Sequence, residues 1–295
     1  EGAEVGTYAK SELLKQSYTT GVTGREMYDL LTASTINEND VMRYVDGVGD
    51  EMDKSQLARN NKDDLDGTGN GVLTEVYLDD DNDQVTIASI NTYLAQAIGD
   101  YSADKEYAPL EVYDAKDSTQ VYNVDVDDVP AIADVVDEGF YLVNISYADG
   151  QPGDVTAVMV PEIMENSTVT KWSDSTDTVV KKLTVDGTEY NAAKKAFYDE
   201  DTLEAYDSDL LTDMTYNIYL DQYGYAIGVD VYEGDLKYVF VTGYDRNSSN
   251  LSVSTATAAG IFLDGTMEEI KVNVKDTNEN INALDTNDGG KADDP

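Results

Sequence analysis

The 295 residues predict a mainly β protein of tandem small β-barrel or β-sandwich modules with a few short helices. Apolar residues recur at every second position over several short runs, the period of a half-buried strand. Tyr is abundant, with 22 copies against 4 Phe and 1 Trp, and its apolar ring with a polar tip suits such strands. Asp outnumbers Glu about two to one. Asp is poor inside helices and favoured in turns, so many loops between short strands are expected.

The first element is helical. Thr23 precedes Glu26 at the spacing of a reciprocal cap, and Met27, Leu30 and Leu31 share one helical face, so residues 24–31 read as a short helix. Val72, Thr74, Val76 and Leu78 then alternate with Leu73, Glu75, Tyr77 and Asp79. The run breaks in the acidic stretch 79–83 and resumes over 84–93, which together read as a β-hairpin. Residues 139–147 and 155–160 flank a turn at Ala148-Asp149-Gly150. A further strand follows at 169–172, and 183–190 form a hairpin with an Asp186-Gly187 tip. The segment 191–211, with Ala192, Ala193, Ala196 and Phe197, reads as one short helix or an irregular crossover.

The first hairpin then recurs. Residues 215–221, a turn at 222–225 and residues 226–232 repeat its pattern, with Tyr219-Leu220-Asp221 matching Tyr77-Leu78-Asp79. A weaker third copy spans 261–272 around Asp264-Gly265, and the tail 276–295 is polar. Three segments are expected. Residues 1–137 form a mixed β module with an N-terminal helical segment, and 138–250 a barrel or sandwich module. Residues 251–295 form a hairpin and acidic tail belonging to a further module.

Charge and composition exclude much. With 60 acidic and 19 basic residues the formal charge is −41, which repels both a phosphate backbone and an anionic membrane surface. No nucleic-acid partner is therefore expected. No stretch approaches the ~20 apolar residues of a membrane-spanning helix, so no membrane insertion is expected either. There is no His and no Cys, which removes Ser-His-Asp and Cys-His nucleophiles, His or Cys zinc sites and disulfides. Pairs of carboxylates are inevitable among 60 acids and single out no glycosidase centre. The chain is read as not an enzyme.

Two acidic segments are candidate calcium sites. In 64–75, Asp64, Asp66, Gly69 and Glu75 fall at positions 1, 3, 6 and 12 of an EF-hand-type loop, which surrounds a hard cation with oxygens. Position 8, however, is Gly71 and the following residues alternate as a strand. The second candidate is the turn carrying Asp79, Asp80, Asp81 and Asp83, whose adjacent carboxylates repel one another without a counterion. An ordinary solvated turn is the competing reading of both.

Tyr219-Leu220-Asp221-Gln222-Tyr223-Gly224-Tyr225 resembles the β modules of bacterial S-layer-homology surface proteins of gut clostridia. Val185-Asp186-Gly187-Thr188-Glu189-Tyr190 and Val76-Tyr77-Leu78-Asp79-Asp80-Asp81-Asn82 are similar to the same module. The resemblance implies an extracellular, structural role at the bacterial cell surface. With the repeat and the Tyr-rich strands, the expectation is a homo-oligomer forming an S-layer-like array or filament, bridged by calcium. The alternative is a secreted adhesin or glycan-binding module, with a cell-wall or glycan partner.

Overall fold

Alternating burial along the strands builds the first sheet. The computed structural model describes residues 14–32, 40–59, 63–79, 84–114, 118–147, 153–175, 179–198, 215–232, 238–245 and 255–273. Strands β1 (Leu14–Tyr18), β2 (Asp40–Val45), β3 (Val48–Asp53), β4 (Leu73–Asp79) and β5 (Gln84–Ile90) pair in the order β1-β4-β5-β2-β3. All pairs are antiparallel except β2 with β5. Val76, Leu78, Val85 and Ile87 point to one face and meet two helices there, α1 (Gly24–Thr32) and α2 (Lys54–Arg59), through Met27, Leu31 and Leu57. The expected reciprocal cap is present. The Glu26 N–H donates to Thr23 Oγ1 (3.2 Å), while Glu26 Oε2 accepts from the Thr23 N–H (2.9 Å) and hydroxyl (2.7 Å). Those bonds hold the Glu26 carboxyl below the usual carboxylate range.

The chain then leaves this sheet at Asn91 and Thr92. The run expected to be one strand over 84–93 is two, because β6 (Tyr93–Ala97) belongs to a second sheet. With β7 (Tyr107–Asp114), β8 (Ser118–Asp125), β9 (Phe140–Ser146) and β10 (Asp154–Met159) it forms the order β10-β9-β6-β7-β8, antiparallel throughout. Strands β8 and β10 approach each other, so the sheet curls over a core that includes Leu110, Val124, Ile132 and Val143. Ile132 comes from a short 3-10 turn, Pro130–Asp134.

The third sheet contains β11 (Glu162–Ser167), β12 (Val169–Ser175), β13 (Val179–Val185), β14 (Thr188–Tyr198), β15 (Tyr216–Leu220) and β16 (Ala226–Val231), in the order β11-β15-β16-β14-β13-β12. The helix or crossover expected to start at 191 is corrected here, since β14 runs as strand to Tyr198, while 199–214 lie outside the described residues. Ala and Lys favour a helix locally, but β14 is paired on both sides, with β13 and β16, and tertiary pairing outweighs that small preference. A bulge between Ala192 and Phe197 lets the adjacent Ala192 and Ala193 both be buried. Leu94 and Leu142 of the second sheet join the core of the third, and the Phe140 and Tyr219 rings stack at 4.5 Å.

The repeated Tyr-Leu-Asp step has a tertiary counterpart. Each copy ends the first strand of an antiparallel hairpin, β4–β5 or β15–β16. In both, that first strand pairs antiparallel with the earliest strand of its sheet, β1 or β11, and the second pairs parallel with a strand of an Asp-Gly hairpin, β2 or β14. The two Asp-Gly tips match as well. Asp46 and Gly47 have φ of 47° and 82°, and Asp186 and Gly187 have 48° and 84°, both left-handed at each residue as a two-residue hairpin loop requires.

The sheets draw the divisions elsewhere than expected. β9 pairs with β6, so the second sheet spans the 137/138 boundary, and β17 pairs with β18, so a sheet spans 250/251. Residues up to Tyr232 form one compact unit and residues from Glu233 another. The second unit contains β17 (Val239–Asp245), β18 (Thr255–Phe262) and β19 (Met267–Asn273) in one antiparallel sheet. The third hairpin copy is β18–β19, its tip held by Asp264 Oδ1, which accepts from the Thr266 N–H and hydroxyl. The tail 276–295 lies outside the described residues. Among the described residues no helix is long and apolar enough to cross a membrane.

One core position is under-satisfied. Tyr216 is fully buried, and its hydroxyl finds no hydrogen-bond partner among the described residues. Burial pushes that hydroxyl's pKa up. Tyr216→Phe removes a buried polar atom while keeping the ring, and is expected to stabilise the protein by about 1 kcal/mol in urea unfolding.

Candidate functional site

The polar residues with the densest contacts lie where the sheets meet. Asp46, at the tip of the β2–β3 hairpin, is buried. Its carboxylate accepts from the Asn91 N–H (2.8 Å), the Asn91 side-chain amide (2.8 Å) and the Tyr93 hydroxyl (2.7 Å). Its own N–H donates to the Ser89 carbonyl (2.9 Å), and its carbonyl accepts from the Tyr147 N–H (2.7 Å). Asp46 thereby ties a hairpin of the first sheet to the start of β6 and the end of β9. The Asn144 amide adds a bond to the Asn91 carbonyl (2.8 Å), and the Gln222 amide reaches from the β15–β16 turn to Thr92 Oγ1 (2.9 Å). Three sheets converge on two residues, Asn91 and Thr92.

The loop that reads as a calcium site makes the other connection. Asp64 bridges to Thr23, and Asp66 Oδ1 accepts from the Gly67 N–H (3.0 Å). Glu75 lies in β4, where Tyr77 donates its hydroxyl to Glu75 Oε2, and that bond pushes the Tyr77 hydroxyl up to about 12. Asp64, Asp66 and Glu75 are thus not gathered around one point. Among the described residues no three carboxylates are placed to hold one metal ion. Of the second candidate turn, Asp80, Asp81 and Asp83 lie outside the described residues, as does the side chain of Asp79.

A positive charge nevertheless reaches the 64–70 loop, from β14. Lys194 donates its ammonium to the Thr68 carbonyl (2.8 Å) and its backbone N–H to the Asn70 carbonyl (2.8 Å), while the Asn70 amide donates to the Ala192 carbonyl (3.1 Å). Loss of water lowers the Lys194 pKa, and the carboxylates of Asp66 and Asp64 pull it back up. These groups line an open recess of about 400 Å³ with Leu65 and Gly69. A Cβ on Gly69 would fall 2.6 Å from Lys194 Cδ, so this close approach depends on glycine.

Neither Asp46 nor Lys194 stands out in the sequence. Val45-Asp46-Gly47-Val48 carries a hairpin-tip signal, but nothing local marks its carboxylate as buried. Lys194 sits in a Lys-Lys pair whose role depends on a loop 126 residues away. No family model, curated protein or solved structure matches this chain.

Proposed function

We propose that this chain is a non-enzymatic structural protein of a bacterial cell surface that assembles with copies of itself into an S-layer-like array or filament. The observation that carries this reading is the fastening of three successive sheets through Asp46, Asn91, Thr92 and Lys194. Polar links between sheets resist sliding, as a tiled layer under load requires. The similarity of the repeated hairpin to surface-protein modules supports the same reading. So does the charge of −41, which makes bridging cations such as calcium a natural part of any close packing of copies.

Electron microscopy of concentrated protein with millimolar calcium and with chelator tests it, alongside thermal melts. Ordered arrays or filaments in calcium, with a melting temperature above that in chelator, are the expected result. Monodisperse monomers in both conditions overturn the assembly, and an unmoved melting temperature removes the calcium.

One observation favours the second reading, a secreted adhesin or glycan-binding module. Tyr238 and Phe240 of the C-terminal unit are about three-quarters exposed, at 75% and 73%. Exposed aromatic faces are suited to stacking on sugar rings. Retention on a glycan array that Phe240→Ser abolishes would select it.

A further inference from the structure

The β15–β16 turn meets the loop of the first sheet at Asp221, which is only 4% exposed. Oδ1 of this residue accepts from the N–H groups of Tyr223 (2.8 Å) and Tyr225 (2.9 Å), which shapes its own turn. Oδ2 is buried and finds no hydrogen-bond partner among the described residues. It rests against Gly71 of the first sheet's loop, where a Cβ would fall only 2.2 Å from it, and that Cβ would lie 3.3 Å from the Ala193 methyl. An ionised carboxylate would leave part of its charge on an oxygen held against the Gly71 α-carbon, out of water. The uncharged acid fits the same place without that cost.

We propose that Asp221 is an acid-sensitive latch that fastens the β15–β16 turn to the Asp64–Gly71 loop, closed most firmly when its carboxyl is protonated. The charged groups on the elements packed against it are engaged elsewhere. On β14 the Lys194 ammonium is on the Thr68 carbonyl and the Lys195 ammonium lies over the Tyr93 ring. On the loop, Asp66 is on the Gly67 N–H and Asp64 lies against Gly21. The turn itself adds Tyr223 and Tyr225, whose backbone N–H groups serve Oδ1. Among the described residues no cation therefore holds Oδ2 in its charged form, and the charge of −41 over the whole chain disfavours the anion further. Burial raises the Asp221 pKa, and the backbone bonds from Tyr225, Tyr223 and Gly224 oppose that rise only in part.

The sign follows from the raised value. A carboxyl that binds its proton more tightly in the closed latch than in the open chain stabilises closure fully at low pH. It loses that contribution as pH rises through its raised pKa. The closing constant falls about tenfold for each unit by which the closed-state pKa exceeds the ordinary one.

Amide hydrogen exchange of the full chain across pH 4 to 7.5, corrected for intrinsic exchange rates, reads the latch directly. Protection over 64–71 and 221–225 is expected to rise as pH falls, and Asp221→Asn is expected to flatten that dependence. A slope that is the same in wild type and Asp221→Asn overturns the latch, since the other carboxylates titrate in both. If the variant does not fold, the carboxyl carbon resonance of Asp221 in the wild-type protein decides. A midpoint well above the ordinary aspartate value upholds the proposal, and one at or below that value overturns it.

Discussion

Asp46→Ala is expected to lower the unfolding free energy by about 3–5 kcal/mol, an effect large enough to unfold many domains of this size. The substitution strips three buried donors of their acceptor at once: the Asn91 N–H, the Asn91 amide and the Tyr93 hydroxyl. It also places alanine at a φ of 47°, where Asp is tolerated better. Asp186→Ala supplies the internal control. Asp186 occupies the same turn geometry at a φ of 48°, but it is exposed and, among the described residues, its carboxylate accepts from the Thr168 N–H (3.0 Å) alone. Its loss is expected to cost about 1 kcal/mol. Urea unfolding followed by tyrosine fluorescence measures both, and equal losses at the two positions would show that the inter-sheet links add nothing to the turn.

Gly71→Ala is expected to cost about 2–5 kcal/mol, from left-handed backbone strain together with overpacking. Gly71 has a φ of 75°, and its added methyl would collide with Asp221 Oδ2 in a place already bounded by Ala193. Gly187→Ala separates the two contributions. It has nearly the same backbone, with a φ of 84°, but nothing lies within 4 Å of the added carbon. It should show the strain alone, about 1–2 kcal/mol. The difference between the two glycines in the same unfolding experiment is the cost of prising open the contact between the first and third sheets.

The hairpins were the most legible part of the fold. β4–β5, β15–β16 and β18–β19 all follow from alternation interrupted by a turn sequence, which is local information. The α1 helix followed from the spacing of Met27 and Leu31 and from the Thr23–Glu26 cap. What was not legible depends on distant partners. The change of sheet at Asn91 and Thr92 shows locally only as two adjacent polar residues in an alternating run, because the break is imposed by Asp46, Asn144 and Gln222. The strand character of β14 hides behind an Ala-Lys-Lys-Ala sequence that only its neighbours make into a strand. Spacing alone likewise leaves Asp64, Asp66 and Glu75 as either cation ligands or a solvated turn, and does not show their partners within the chain. In the fold Glu75 turns to Tyr77, and the loop takes its positive charge from Lys194.

The two parallel pairs, Val41 beside Val85 and Ala192 beside Ala226, also set the order in which the chain can fold. Neither can zip from a turn, and a parallel neighbour must wait for a long crossover to be traversed and its entropy lost. The first sheet cannot close until β5 has been synthesised, and its Asp46 tip cannot be fastened until Asn91 and Tyr93 follow. Asp221 reaches Gly71 only after most of the 14–232 stretch exists. The sheet-to-sheet joints therefore form later than the hairpins that carry them.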